Sequence, residues 1–209
     1  MRWKNHKKSG WEIKSDRPEE IYTHPSEYYT DEEIAMYCRS GGMKKAQQRI
    51  AYSIISYLPL EEGNKILDIG CGPGHTLEVY DAEGLKVEGI DILPKMLERA
   101  KEKGFKVVQG DMKDLKTLFK AKKFDAVVSA SALQWVKEKE DIKTVAEGIY
   151  YILKSKGKAA IQFYPKSEEE LNEIRKIFDK AGFESQLIIE NRDNPRKRTI
   201  FMILKKKLI

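Results

Sequence analysis

Cysteine, histidine and long apolar runs are all scarce in this chain of 209 residues. The two cysteines, Cys38 and Cys71, lie far apart and form no Cys-x-x-Cys pair. That spacing predicts neither a zinc site nor a disulfide framework, and it makes a reducing, intracellular setting the expectation. The longest apolar stretch, residues 126–136, is too short and too polar for a bilayer span, so no membrane partner is expected. Residues 1–8 carry bases with no apolar segment after them. No secretory signal is therefore expected, and the expected location is cytoplasmic, or nuclear in a eukaryote. An excess of base is also missing from most of the chain. The net charge is +6, and residues 192–209 carry all of it, with seven bases against one acid. A neutral body with a basic C-terminal strip excludes a uniformly basic, histone-like protein; the strip is either a surface for phosphates or a solvated tail.

What is present is enough apolar residue for a true core, 41%, which argues against wholesale disorder. The first 43 residues are polar and irregular and hold two of the three tryptophans. Within them Thr30-Asp31-Glu32-Glu33 has the capping-box spacing, which predicts a short helix through Cys38, ended by Gly41-Gly42. A longer helix is predicted over 44–58, with Ile50, Ile54, Ile55 and Leu58 on its apolar face and Pro59 as its stop. Strands and helices then alternate. Strands are predicted at 66–69, 87–90, 107–109, 124–129 and 158–163, with helices over 75–83, 94–103, 141–153 and from the Ser167 capping box to Gly182. Two last strands, 186–190 and 199–204, have no helix between them and should pair antiparallel. The expected fold is α/β, with residues 1–43 as an extension and 44–209 as the main domain.

The strongest local signal is Asp68-Ile69-Gly70-Cys71-Gly72-Pro73-Gly74, a buried strand running through three alternate glycines into a helix. Glycine at 70 and 72 lets the backbone turn sharply and lets a ligand lie against it. A dinucleotide fingerprint would need glycine at 75, where this chain has His75. Asp68 just before the loop would repel a pyrophosphate but suits a ligand with an ammonium or sulfonium group. Asp91, ending the second strand, can accept both ribose hydroxyls, and Ile92 can cover an adenine face. Asp111 follows the third strand, within reach of an adenine amino group. An adenosine with a positive tail is S-adenosyl-L-methionine.

On these residues the chain resembles the class I S-adenosylmethionine-dependent methyltransferases over residues 45–209. The resemblance implies a Rossmann-like, seven-stranded, mostly parallel sheet with an antiparallel last strand, flanked by helices. It also implies cofactor contacts at Asp68, Gly70, Cys71, Gly72, Gly74, Asp91, Ile92, Asp111, Met112 and Ser129. Tyr37 and Gln47 are candidates for the methionine end, under a lid formed by residues 17–43.

Absences narrow the acceptor. Neither cysteine is placed for a covalent attack on a pyrimidine ring, and the segment 129–135 lacks the Pro-Pro-aromatic run of exocyclic-amine enzymes. No obvious general base is present. Guanine N7, with its free in-plane lone pair, needs none; a small-molecule sulfur or nitrogen fits that argument equally. Arg17-Pro18-Glu19-Glu20, Tyr28-Tyr29-Thr30-Asp31-x-Glu33, Ser131-Ala132-Leu133-Gln134-Trp135-Val136 and Gln162-Phe163-Tyr164-Pro165-Lys166 together are similar to one family, the small-subunit (18S-type) rRNA guanine-N7 methyltransferases. The similarity runs from about residue 17 to the C-terminus. It implies that Gln134, Trp135, Phe163 and Tyr164 line the acceptor pocket. It also implies a ribosomal RNA or pre-ribosomal partner, and a small zinc-containing activator subunit for which the edge of the third strand is a candidate dock. Arg192, Arg196, Lys197, Arg198 and Lys166 are the candidate RNA-phosphate contacts. The alternatives are a methyltransferase for tRNA or a small molecule, and a ribosome-assembly factor acting mainly as a scaffold. A nicotinamide dehydrogenase is disfavoured by His75 and Asp68.

Overall fold

Buried apolar runs set the frame of the molecule, which is described by a computed structural model over residues 17–194 and 197–207. Two short helices, α1 (Pro18–Ile21) and α2 (Pro25–Tyr28), lead to α3 (Asp31–Arg39) and α4 (Gly41–Tyr57). Then β1 (Lys65–Ile69), α5 (His75–Ala82), β2 (Lys86–Asp91), α6 (Pro94–Glu102) and β3 (Lys106–Gln109) follow in the predicted alternation. A 3-10 turn at Met112–Asp114 and α7 (Leu115–Leu118) precede β4 (Phe124–Ala130). A second 3-10 turn (Leu133–Trp135), α8 (Lys139–Ile152), β5 (Leu153–Phe163), α9 (Glu168–Lys180), β6 (Phe183–Glu190) and β7 (Thr199–Lys206) complete the chain.

The seven strands form one sheet in the order β3-β2-β1-β4-β5-β7-β6. β1 to β5 run parallel, and β7 lies antiparallel between β5 and β6. The strand order turns around between β1 and β4, so their carboxyl ends open a crevice where such sheets bind ligands. Leu67, Ile69, Val127, Ile161 and Phe163 face a core closed by α8 and α9. Ile66, Ala126, Val128 and Ala160 face the opposite core, under Ile50, Ile54 and Tyr80 of α4 and α5. Among the described residues no helix is long and apolar enough to cross a membrane.

Three expectations change. Gly41-Gly42 does not end a helix; it begins one. Ser40 terminates α3 and its hydroxyl accepts from Met43 N at 3.2 Å, so a single serine stops one helix and caps the next. β5 starts at Leu153 rather than 158, because the chain rejoins β4 across an irregularity between Phe124 and Ala126. The basic C-terminal strip is also divided. Phe163 pairs with Ile200 and Lys158 with Lys205, so Arg192, Lys197 and Arg198 sit at the carboxyl edge of the sheet and Lys205–Lys207 at the opposite edge. Lys206 is not free for phosphates. Its ammonium donates to the Tyr150 and Leu153 carbonyls at the end of α8, at 2.6 and 2.9 Å, where a cation offsets the helix dipole.

Candidate active site

The loop after β1 works because three residues take left-handed backbone, Gly70 (φ +75), Gly72 (φ +53) and Gly74 (φ +81). A Cβ on Gly70 would stand 2.4 Å from that of Ala132, whereas one on Gly72 would meet nothing within 4 Å. Gly72 therefore presents bare backbone to the open side. Gly70 N and Cys71 N both donate to Ile90 O, at 2.8 and 3.1 Å, clamping the loop to the end of β2. Beyond the loop lies a cleft of about 960 Å³, walled by the glycine loop, the ends of β2 and β4, and residues of α1 to α4.

Asp91 sits on this wall, buried, with Oδ2 accepting from Gly72 N at 2.8 Å and Oδ1 from Leu93 N at 2.9 Å. Burial raises its pKa, and those amides counter the shift. Each carboxylate oxygen keeps a lone pair for a hydroxyl donor. Ile92 and Met112 are also on the wall, and so is Asp111, which caps the 3-10 turn through Lys113 N (2.9 Å). Tyr37 of α3 and Gln47 of α4 are both on the wall, and burial holds the Tyr37 phenol protonated.

Other expected contacts are not on the wall. Strand alternation turns Asp68 to the face of Ile66, under α5, where it is 1% exposed and accepts from Thr76 Oγ1 at 2.5 Å. It braces the loop from below rather than facing a ligand, and burial pushes its pKa up to about 7. Ser129 is buried and donates to Ile69 O (2.8 Å), tying β4 to β1. Gly74 caps α5 beneath Phe105. Phe163 shares the face of Ile161 and is fully buried in the α8–α9 core, off the wall of this cleft; it borders only a small neighbouring pocket with Gln134 and Tyr164. The period of two that makes β5 a strand points this ring away from the cleft.

In the sequence, His75 stands out only as a break in the dinucleotide pattern. Its ring stands in the cleft wall, stacked on Tyr37 at 6.0 Å with 18° between planes. It is 4% exposed, and burial, with Lys103 nearby, brings its pKa down to about 4, so the imidazole is neutral. Its place at the first turn of α5, directly after the glycines, was the available signal.

At the other end of the cleft Ser131, non-glycine yet left-handed at φ +58, joins three elements. Its N–H donates to Gln162 O (3.0 Å), its hydroxyl to Gln162 Oε1 (2.8 Å), and its carbonyl accepts from Gln134 Nε2 (3.0 Å). Since a carbonyl only accepts, Gln134 is locked with Oε1 turned away, and that oxygen has no partner. Trp135 packs near Tyr28 and Tyr29, with ring centroids 6.5 and 6.0 Å away. Tyr164 also reaches the wall; its carbonyl accepts from Arg17 Nη1 at 2.7 Å, and the guanidinium lies 5.4 Å from its ring centre. Arg192, Lys197 and Lys166 are exposed, Arg198 donates to Arg192 O at 2.8 Å, and Arg196 lies outside the described residues.

A methyltransferase-domain profile matches residues 67–161. The chain is 30% identical over 200 residues to the 18S rRNA (guanine-N(7))-methyltransferase bud23 of Schizosaccharomyces pombe, covering 90% of this chain and 74% of that one. It is 32% identical over 188 residues to the 18S rRNA (guanine(1575)-N(7))-methyltransferase of Saccharomyces cerevisiae, covering 84% and 67%. The chain belongs to the 18S-type rRNA guanine-N7 methyltransferase family. A solved complex between the Haloferax volcanii Trm112 methyltransferase activator and a methyltransferase contains a chain of the same fold. It has a TM-score of 0.67 and 19% identity, covering 84% of this chain and 98% of that one. The cofactor of this methyltransferase family is S-adenosyl-L-methionine, and the cleft fits it. Gly72 gives close backbone approach, Asp91 has lone pairs open to hydroxyl donors, and Ile92 and Met112 offer apolar cover for a planar ring.

Proposed function

We infer that this chain is an S-adenosylmethionine-dependent enzyme that methylates guanine N7 in small-subunit ribosomal RNA. The observation that carries this reading, beside the family, is the make-up of the acceptor end: aromatic rings and a locked amide, with no cysteine beside them among the described residues. Cys71 is buried behind the loop against Gly89, and His75 sits with Tyr37 at the opposite end. Transfer to N7 requires no proton removal, so alignment and exclusion of water carry the rate. The bound cofactor supplies an electrophilic methyl group on a sulfonium. Asp91 would hold the ribose, Asp111 the adenine amino group, and Tyr37 with Gln47 the methionine end. Tyr164, Trp135 and Gln134 would stack and orient an extruded base.

Residues 17–43 act as a lid over both ends. Arg17 reaches Tyr164, and Lys137 Nζ donates to Tyr22 O at 2.7 Å, so the segment is strapped to the acceptor loops. Arg192, Lys197 and Arg198, on the edge that also carries the cleft, would take the RNA phosphates. β3 ends the sheet, and its unpaired edge is the surface we assign to a small activator subunit.

The test is transfer of labelled methyl to total RNA, followed by size separation and nucleoside digestion. Label is expected as 7-methylguanosine in the small-subunit rRNA. Label in tRNA or in metabolites would overturn the assignment. RNA that is methylated only after a small activator is added would support the partner.

A further inference from the structure

Methylation of N7 changes the charge of the base, and the acceptor end holds groups suited to that change. The N7 lone pair forms the new N–C bond while the C–S bond breaks with its electron pair left on sulfur. No proton moves, and the positive charge passes from sulfur to the purine ring. Whatever surrounds the purine therefore faces a neutral ring before transfer and a cationic ring after it.

Three rings meet there: Tyr28 and Tyr29 with centroids 4.9 Å apart, and Trp135 within 6.5 Å of both. All three are on the cleft wall, and Glu19 and Glu33 are on the same wall. Glu19 is only 7% exposed, an uncommon place for a carboxylate, and Glu33 is half-buried, its charge acting after burial to keep the proton on Tyr28. Neither carboxylate has an ion-pair partner among the described residues. Burial first, then Tyr28, Asp91, Glu19 and Glu33, keeps the proton on Tyr29, although Arg17, Lys113 and Lys137 stand elsewhere on the same wall. A largely covered carboxylate with no ion-pair partner, beside aromatic faces, suits a cationic ligand better than a neutral one.

We propose that Tyr28, Tyr29 and Trp135, backed by Glu19 and Glu33, form a cation-receiving wall that binds the N7-methylated guanine ring in preference to the unmethylated one. The proposal rests on the guanine-N7 reading above. The same wall stabilises the purine charge as it develops, because the rings and carboxylates are held in place before transfer begins. It also makes the methylated base the tighter ligand, so release of product is slowed by the groups that speed the transfer.

The experiment measures binding by calorimetry, on the full chain saturated with S-adenosylhomocysteine, using guanosine 5′-monophosphate and its 7-methyl derivative. A preference of about tenfold for the methylated nucleotide is expected, the order of one desolvated cation–π contact. Glu19→Gln and Tyr28→Leu should each shrink that preference several-fold while leaving S-adenosylhomocysteine affinity unchanged. Equal binding of the two nucleotides, or a preference that both variants keep, overturns the proposal. If neither mononucleotide binds, the comparison is repeated with unmethylated and methylated small-subunit rRNA, and equal affinities again overturn it. If rRNA acquires 7-methylguanosine but the two ligands bind alike, only this inference fails. If rRNA acquires none, the functional reading beneath it fails as well.

Discussion

At the scale of single residues, burial separates what looks alike in the sequence. Asp68, Asp91 and Asp111 read as three ligand acids, yet only the last two reach the cleft. Asp68 lies below the loop with one oxygen on Thr76 and the other without a partner. Its pKa rises to about 7 from an ordinary 3.8, mainly by burial. Above pH 7 the folded chain holds a buried ionised carboxylate that the unfolded chain leaves in water, and folding bears that penalty. Below 3.8 both states hold the proton and the penalty is gone. The Asp68 contribution to stability therefore improves as pH falls from about 7 toward 3.8. Asp68→Asn keeps an acceptor for Thr76 but does not titrate. Its advantage over the parent chain should be largest at pH 8 and shrink steadily toward pH 4, as read by thermal melting without cofactor. His75, whose lowered pKa makes stability fall as pH drops from 6.5 toward 4, is present in both chains and cancels. A constant difference across pH would show that Asp68 does not titrate in this range.

Gln134 provides the second residue-scale test. Its amide is fixed by Ser131 O, far from Asp91 and the glycine loop in role if not in cleft. Gln134→Ala should lower the rate of methyl transfer about tenfold, as expected for the loss of one positioning hydrogen bond. Cofactor affinity should stay within about twofold, by the same energy scale. Equal loss of both would make Gln134 a structural residue.

At the scale of elements, the sequence announces whatever lasts longer than one period. The helices from α4 to α9 that span two turns or more, and all seven strands, carry enough repeats of 3.6 or 2 to be read directly. α1 and α2 are four residues each, too short for any period, and they are held by contacts that only the folded chain makes. Phe163 shows the reverse failure. Its motif placed it at the acceptor end, while the register of β5 with β4 sends its side chain to the core. The attachment of the proposed lid is similarly non-local: Arg17 and Tyr164 are 147 residues apart in sequence. Arg17→Ala removes both the hydrogen bond and the ring contact, worth roughly 1–3 kcal/mol together. Cleavage by a nonspecific protease within residues 17–30 should then rise several-fold relative to the body, with S-adenosylhomocysteine restoring part of the protection. Unchanged cleavage would mean that Lys137 and the aromatic cluster hold the lid without it.

At the scale of the whole molecule, the basic strip is continuous in sequence but not in space. Seven bases in eighteen residues suggest one RNA-binding tail. Antiparallel pairing of β7 instead spreads them along a strand of eight residues, about 25 Å from end to end. Arg192, Lys197 and Arg198 stay at the carboxyl edge of the sheet, on which the cleft also opens, and Lys205–Lys207 fall at the far edge, with Lys206 committed to α8. A bound RNA that inserts a base into the cleft meets the first group and not the second. Each phosphate neutralised contributes about 0.7–0.9 to the slope of log affinity against log salt. Replacing Arg192, Lys197 and Arg198 together with glutamine should thus flatten that slope by about 2–3, measured by titration of small-subunit rRNA at several salt concentrations. Replacing Lys205 and Lys207 removes two of the same charges from the same sequence strip and should leave the slope unchanged. Equal flattening by both sets would mean that net charge rather than position draws the RNA, and that the cleft edge is not where its phosphates lie.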